Sequence, residues 1–179
     1  NAADRPKQRC ARREGLLQRC LMSFDTTARA VRPYIAPSKT PRSARPVTDP
    51  HHQLLYLSHL VCSFRYEVFS AICQVSRRRN AELSLSGVLL FDGHRFCQLL
   101  EGPQASVSRV RESIANDPRH EFMTVLVDRE QAAPTTQGIW QAGYCGPFEL
   151  DQLLGPERLD EDQAMAVFRA IVTRADLSP

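Results

Sequence analysis

The sequence has 179 residues, 42% of them hydrophobic, which is enough for one ordinary buried core but hardly for two full domains. No apolar run approaches the roughly 18 residues that a membrane helix needs, and the N-terminus lacks the apolar centre of a signal peptide, so we expect a cytoplasmic protein without a membrane span. The net charge of +3 hides two segments of opposite charge, and the six cysteines form no C-x-x-C pair, which favours reduced thiols over a zinc or redox site.

The first 50 residues are basic and rich in proline. They hold 11 Lys and Arg against 4 Asp and Glu, whereas residues 51–179 hold 12 against 16. Six of the 12 prolines also lie in this segment, and their close spacing interrupts helices and strands. We therefore predict a disordered arm over residues 1–50, and a solvated tail is favoured over a contact with nucleic acid or an anionic membrane.

A strand and a helix are predicted at the start of the folded region. The segment "LLYLS" from Leu54 is short and apolar, as buried strands are, and "FRYEVFSAICQVSRRRN" has helical periodicity up to about Asn80. On this helix Val68, Ile72 and Val75 are expected to contact the core, beside a stripe that ends in polar residues. The region therefore begins with a β-α unit.

The next elements complete a recognisable order. Two strands in "SGVLLFDGHRFCQLLEG" are joined by a turn at Asp92 and Gly93, which is a strong hairpin signal. "PQASVSRVRESIANDP" predicts a helix that Pro118 ends, "EFMTVLVD" a fourth strand, and "IWQAGYC" a small fifth strand. The order β-α-β-β-α-β predicts an α+β, ferredoxin-like fold with both helices on one face of a single sheet.

Residues 147–179 are predicted to form a C-terminal helical extension. Asp160 can cap the start of its helix. The apolar side of this helix consists of Met165, Phe168, Ile171 and Val172. Such a side must be covered, either by the open face of the sheet or by a second subunit. We therefore divide the chain into the arm 1–50, a domain over 51–146 and this extension.

The predicted third strand carries one amide in an apolar setting. Because alternate residues of a strand share a face, Gln98 points the same way as Phe96 and Leu100. Tyr56 points to that face from the first strand. A buried amide without partners costs about 1 to 3 kcal/mol, so Gln98 needs a hydrogen bond, which Tyr56 can supply. Two interpretations remain: a Tyr-Gln hydrogen bond that only stabilises the sheet, or a flat, polar-edged ligand that Asn80 would also contact. Periodicity alone favours the first.

Five short motifs lie in order between Leu54 and Tyr144: "LLYLS", "SRRRNAELSLSGVLLF", "FCQLLEGP", "IANDPRH" and "IWQAGY". Together, on a compatible topology, they resemble the BLUF domain, a family of blue-light sensors that use flavin. The resemblance implies that Tyr56 is the redox-active tyrosine and that Gln98 lies between it and the flavin, with Trp140 as a third photoactive residue. The cofactor-binding residues that it implies are Tyr56, Ser76, Arg79, Asn80, Phe96, Gln98, Arg119 and His120.

The resemblance also implies a function. The cofactor would be FAD, with FMN or riboflavin as alternatives, and light would rearrange the hydrogen bonds that Tyr56 and Gln98 form with it. No substrate is turned over in such a switch. We therefore expect a sensor and not an enzyme, with no metal and no catalytic residues, acting through a separate protein effector or through self-association.

Two features depart from the family's pattern and keep alternatives open. Ala142 stands where the family's Trp-x-Met usually has its methionine, and "QGI" replaces the usual aromatic residue and proline before Trp140. One alternative is a degenerate BLUF-fold interaction module without photochemistry. Another is an acylphosphatase-like hydrolase that would use Arg79 and Asn80 around a phosphate, but the chain has no Gly-rich phosphate loop.

Overall fold

The computed structural model describes residues 50–61, 66–117, 119–133, 135–136 and 138–178, and of residues 66–68 only the backbone. The chain divides into two units, Asn1–Thr48 and Asp49–Pro179, and every described residue belongs to the second unit. The predicted arm over residues 1–50 therefore lies outside the described residues, apart from Pro50.

The elements of the second unit follow the predicted order. The strands are β1 (His51–Leu60), β2 (Ser86–Phe91), β3 (Arg95–Pro103), β4 (His120–Gln131), β5 (Trp140–Tyr144) and β6 (Asp176–Ser178). The helices are α1 (Tyr66–Glu82), α2 (Gln104–Ala115), a short 3-10 helix (Leu150–Leu153) and α3 (Glu161–Val172). The order β-α-β-β-α-β is confirmed from β1 to β4, and β5 is the small fifth strand.

One sheet contains all six strands in the order β4-β1-β3-β2-β5-β6. β5 runs parallel to β2, and the other neighbouring strands are antiparallel. In the β2–β3 turn the carboxylate of Asp92 accepts a hydrogen bond of 2.9 Å from the backbone N–H of His94, and Gly93 has a φ of +99°, which favours glycine. The α+β, ferredoxin-like fold is confirmed, whereas the three-residue strand β6 was not predicted.

One face of the sheet is covered by α1 and α2, which stand over two separate apolar clusters. The α1 cluster consists of Phe69, Ile72, Cys73, Leu89, Phe91, Phe96, Trp140 and Ala142. The α2 cluster consists of Leu54, Tyr56, Leu85, Leu100, Val107 and Val110. Ile72 contacts the core as expected, but the expectation for Val75 is wrong, because its side chain is 39% exposed. The helix is turned so that Phe69 and Cys73 are buried instead.

The opposite face of the sheet is covered by α3 and the 3-10 helix. Asp160 caps α3: its carboxylate accepts a hydrogen bond of 2.8 Å from Gln163 N, and Gln163 Oε1 accepts one of 3.0 Å from Asp160 N. The buried side of α3 consists of Ala164, Met165, Phe168 and Ile171, with Val172 at its margin. The apolar side of α3 is therefore covered by the open face of the sheet, which was one of the two predicted alternatives. The sheet becomes a buried middle layer.

A buried carboxylate fixes the loop between β4 and β5. Glu101 is fully buried and accepts hydrogen bonds of 2.7 to 3.1 Å from Gln53, Gln131, Thr135 and Thr136. Burial by itself would raise its pKa, but these hydrogen bonds hold the pKa of the carboxyl below its ordinary value. Glu101 is therefore an anion that holds the chain in place shortly before Trp140.

Candidate functional site

Tyr56 of β1 and Gln98 of β3 are directly opposite each other in the sheet. The Tyr56 hydroxyl donates a hydrogen bond of 2.5 Å to Gln98 Oε1, and the two side chains are 1% and 4% exposed. The bond that strand periodicity favours is therefore present. Both side chains lie on the face that α1 and α2 cover, and Tyr56 is part of the α2 cluster.

The protonation of Tyr56 orients Gln98. Burial raises the pKa of the Tyr56 phenol well above its ordinary value, and Cys97 and Asp117 add to the effect. The phenol therefore keeps its proton at neutral pH and must be the donor, so the carbonyl end of Gln98 faces Tyr56. The amide nitrogen of Gln98 is left for another partner, and no described residue accepts a hydrogen bond from it.

Asn80 supplies a second unsatisfied amide near the end of α1. Its side chain is 2% exposed, and its Nδ2 has no hydrogen-bond partner among the described residues. Its backbone carbonyl accepts hydrogen bonds from Leu83 N and Leu85 N, at 3.2 and 2.8 Å, as the helix ends. A buried donor without a partner costs about 1 to 3 kcal/mol, so Asn80 is suited to a ligand with acceptor atoms.

Two further predicted residues of α1 precede Asn80 in sequence. Ser76 is half-buried and lies one helical turn before Asn80. Arg79 Nη1 donates a hydrogen bond of 2.8 Å to Ser113 Oγ, which joins α1 to α2. Polar groups of both helices therefore meet next to Asn80.

His120 closes the other end of the site without carrying a charge. Ser58 Oγ and His120 Nδ1 share a hydrogen bond of 2.9 Å, and the ring centroids of His120 and Phe96 lie 5.1 Å apart. The pKa of His120 is lowered to about 4, chiefly by burial; the carboxylate of Asp117 raises it and the cation of Arg119 lowers it by smaller amounts. His120 is therefore neutral at physiological pH.

Arg119 is already paired within the chain. Its guanidinium makes a salt bridge with Asp117, with hydrogen bonds of 2.9 and 3.0 Å from Arg119 Nε to the two carboxylate oxygens. Burial would raise the pKa of Asp117, but these hydrogen bonds lower it below its ordinary value. The predicted basic pair at Arg119 and His120 therefore offers no unpaired positive charge.

Trp140 lies apart from the Tyr56–Gln98 pair. It is on β5, which β2 separates from β3, and it packs in the α1 cluster with 7% exposure. Its Nε1 has no hydrogen-bond partner among the described residues, and the guanidinium carbon of Arg77 lies 5.9 Å from the ring centroid. In the sheet Trp140 is opposite Gly87, which in turn is opposite Leu100 and not Gln98. Sequence reasoning missed Leu89 of β2, which lies between Gln98 on one side and Ala142 on the other.

Ala142 borders a cavity. The cavity has a volume of about 280 Å³ and lies between α1 and the edge formed by β5 and β6. Its lining includes Phe69, Cys73, Ala142 and Gly143. The small side chain at position 142 therefore leaves space in the same layer that holds Gln98.

The described residues contain neither a candidate metal site nor a helix that could span a membrane. No group of three or more His, Cys, Asp or Glu residues there could hold a metal ion, and no helix there is long and apolar enough to cross a membrane. Cys73, Cys97 and Cys145 are free thiols. Cys10, Cys20 and Cys62 lie outside the described residues.

Residues 52–138 match the family model described as "Sensors of blue-light using FAD". The chain contains a BLUF domain. It is 37% identical over 67 residues to the blue light- and temperature-regulated antirepressor BluF of Escherichia coli K12, and 37% identical over 101 residues to the photoactivated adenylate cyclase subunit beta of Euglena gracilis. These stretches cover 37% and 56% of this chain, but only 17% and 11% of the relatives.

Solved BLUF structures share the fold. BlrB in its dark state superposes with a TM-score of 0.57 at 24% identity, over 68% of this chain and 97% of BlrB. BlsA in its photo-activated state gives a TM-score of 0.58 at 19% identity, over 72% of this chain and 99% of BlsA. The sheet and helices of this BLUF domain are therefore those of the family.

The residues of this BLUF domain fit a flavin. FAD is the cofactor in the family's description, and its ring system is flat and carries carbonyl and ring-nitrogen acceptors along one edge. Gln98 and Asn80 are buried side chains whose amide nitrogens lack acceptors among the described residues. Apolar clusters beneath α1 and α2 surround these amides, and Tyr56, the partner of Gln98, is part of the α2 cluster.

Proposed function

We propose that this chain is a blue-light sensor whose BLUF domain, over residues 51–146, binds FAD between α1 and α2. The observation that carries the proposal is the buried hydrogen bond from Tyr56 to Gln98, which leaves the Gln98 amide nitrogen free to bind a ligand. The unsatisfied Asn80 amide supports the same position for the flavin.

The remaining site residues are proposed to line the flavin. Gln98 and Asn80 would donate hydrogen bonds to its polar edge, and Phe96 would contact it from the sheet. The others that we propose as flavin neighbours are Ser76, Arg79, Arg119 and His120. The neutral state of His120 and the pairing of Arg119 with Asp117 support an uncharged ring system as their neighbour.

The chemistry that this chain adds is the movement of one proton along one hydrogen bond. The bound flavin supplies the absorption of blue light and an excited state that is a strong oxidant. Tyr56 holds its phenolic proton on a bond of 2.5 Å to Gln98 Oε1, so an electron and a proton can leave the phenol together and return to it. Gln98 has a donor end and an acceptor end, and its rotation or tautomerisation exchanges them toward Tyr56. Two hydrogen-bond arrangements of the same residues then constitute the switch.

We infer that the described unit is a sensor without enzyme activity of its own. The relatives named above are an antirepressor and an adenylate cyclase subunit, and this chain spans less than a fifth of either. The part that it shares with them is the light-sensing domain. We propose that its output goes to a separate protein effector or to self-association.

Light-minus-dark absorbance of the FAD-loaded protein tests this function. We expect a yellow protein whose visible band shifts reversibly to the red under blue light. Tyr56→Phe removes the proton and the electron donor while keeping the ring, so it should retain FAD and lose the shift. Tyr144→Phe, a tyrosine on the same face of the sheet but outside the site, should keep the shift. A full photocycle in Tyr56→Phe would contradict the assigned role.

The interaction module without photochemistry is a second candidate, which the small side chain of Ala142 favours. In that case output would depend on the surface of the domain and not on Gln98. A purified protein that stays colourless and takes up no FAD would support this candidate and reject the sensor.

A further inference from the structure

Two arginines at the junction of α1 and α2 have no carboxylate partner among the described residues. Arg79 of α1 donates a hydrogen bond of 2.8 Å to Ser113 of α2. Arg109 lies one helical turn before Ser113, so both residues are on the same side of α2, toward Arg79. The charge of Arg109 acts on Arg79: burial lowers the pKa of the Arg79 guanidinium, and Arg109 lowers it further.

Three other arginines, by contrast, are paired with carboxylates. Arg78 pairs with Glu82, Arg111 pairs with Asp128, and Arg119 pairs with Asp117. Arg79 and Arg109 make no salt bridge with any described residue, although two like charges that lie close together repel each other. Such a pair is relieved when an anion binds between the guanidinium groups.

The position of Arg79 and Arg109 indicates that this anion is the phosphate of a flavin. Arg79 is next to Asn80, whose buried amide is part of the proposed flavin site. FMN and FAD carry phosphate on the side chain of the flavin ring, whereas riboflavin has the same ring and side chain without phosphate. A planar guanidinium matches phosphate oxygens with two parallel hydrogen bonds.

We propose that Arg79 and Arg109 form a phosphate subsite at the junction of α1 and α2, which makes this chain selective for phosphorylated flavins over riboflavin. The proposal rests on the proposed flavin-binding function and adds a cofactor preference to it. Ser113 holds Arg79 in position from α2, and Arg109 supplies the second cation from the same helix.

Fluorescence titration of the flavin-free full chain with riboflavin, FMN and FAD tests the subsite. We expect FMN and FAD to bind at least about tenfold more tightly than riboflavin, and Arg79→Gln to remove most of that difference. Arg109→Gln, which lies outside the proposed lining of the flavin ring, should remove most of it while leaving riboflavin affinity unchanged. Raising the salt concentration from about 0.1 M to about 1 M should also narrow the preference, because salt screens charge pairs.

Three control variants separate the phosphate subsite from other effects. Arg78→Gln and Arg111→Gln remove neighbouring arginines that are paired with carboxylates, so they should leave all three affinities unchanged. Asn80→Ala removes a contact with the ring, so it should weaken riboflavin, FMN and FAD by the same factor.

The outcomes distinguish the two proposals. Equal affinity for riboflavin, FMN and FAD, or an equal loss for all three in Arg79→Gln and Arg109→Gln, would overturn the phosphate subsite and leave the flavin-binding function standing. If none of the three flavins binds the wild-type chain, the proposed function and the subsite both fall. Discrimination between FMN and FAD alone would assign selectivity to the adenylate and reject the subsite.

Discussion

Burial keeps the side chains of Tyr56 and His120 uncharged. It raises the pKa of the Tyr56 phenol and lowers the pKa of the His120 imidazole to about 4. Tyr56 is therefore a fixed donor and His120 a neutral ring at physiological pH. At the scale of single residues, Tyr56 and His120 therefore give the site polar groups without a charge.

The lowered pKa of His120 predicts a specific loss of stability in acid. An unfolded histidine has a pKa of about 6.5, so His120 contributes stability above that pH and loses it as the pH falls toward about 4. Between pH 7 and pH 4.5 we expect the free energy of unfolding to fall by about 2 kcal/mol more in the wild type than in His120→Gln. Urea unfolding at both pH values measures this. His94→Gln, at an exposed turn position, should behave as the wild type does, and an identical pH dependence in His120→Gln would contradict the burial argument.

At the scale of elements, β5 determines what surrounds the site on the α1 side. Trp140 and Ala142 both face α1, and Gly143 between Ala142 and Tyr144 faces away. A Cβ added at Gly143 would lie 2.0 Å from the backbone carbonyl oxygen of Asp176, so β6 approaches too closely for any side chain there. Ala142, by contrast, borders the cavity of about 280 Å³.

Larger side chains at Ala142 and at Gly143 are therefore expected to change the free energy of unfolding in opposite directions. Ala142→Met places three more heavy atoms against the cavity, so the free energy of unfolding should rise by about 1 kcal/mol. Gly143→Ala should lower it by about 2 kcal/mol or more, because the backbone of β6 must move. Urea unfolding of both variants at pH 7 gives the comparison. A destabilised Ala142→Met would show that the cavity is not accessible to that side chain.

The sequence was most informative where a signal is local. The hairpin turn, the cap of α3 and the shared face of Tyr56 and Gln98 each follow from a few neighbouring residues, and the structure agrees with them. The separation of Trp140 from Gln98 depends on the parallel pairing of β5 with β2, which no local pattern specifies. β6 is short and exposed, and the rotation of α1 that exposes Val75 depends on how the helix packs on the sheet.

At the scale of the whole molecule, the sheet separates the proposed flavin site from the α3 side. Gln98 faces α1 and α2, whereas the adjacent Cys97 and Leu99 pack on the side that α3 covers. At one end of the sheet the Glu101 network joins Gln53 to the loop before β5, and Arg129 joins Gln53 to Asp162 of α3 with hydrogen bonds of 3.2 and 2.6 Å. One connected polar network therefore links the helix on the far face to the loop that leads into β5.

The Glu101 anion is expected to be a large contributor to the stability of the unit. Glu101→Gln keeps the shape but replaces an acceptor oxygen by a donor, so we expect a loss of about 3 kcal/mol in the free energy of unfolding at pH 7. Because the folded-state pKa of Glu101 is lowered, this difference should shrink as the pH falls below about 4.5 and the wild-type carboxyl is protonated. Glu130→Gln, on an exposed position of β4, is the control and should change little. Equal stability of Glu101→Gln and the wild type at pH 7 would contradict this account of the network.

Gln98 is the proposed moving part of the switch, and the most direct test of this role is the light-minus-dark absorbance spectrum of FAD-loaded Gln98→Ala. We expect this variant to bind FAD and to lose the reversible red shift, because no amide remains to exchange its donor and acceptor ends. Gln53→Ala removes another buried strand glutamine on the opposite face of the sheet and should keep the shift. An unaltered red shift in Gln98→Ala would contradict the claim.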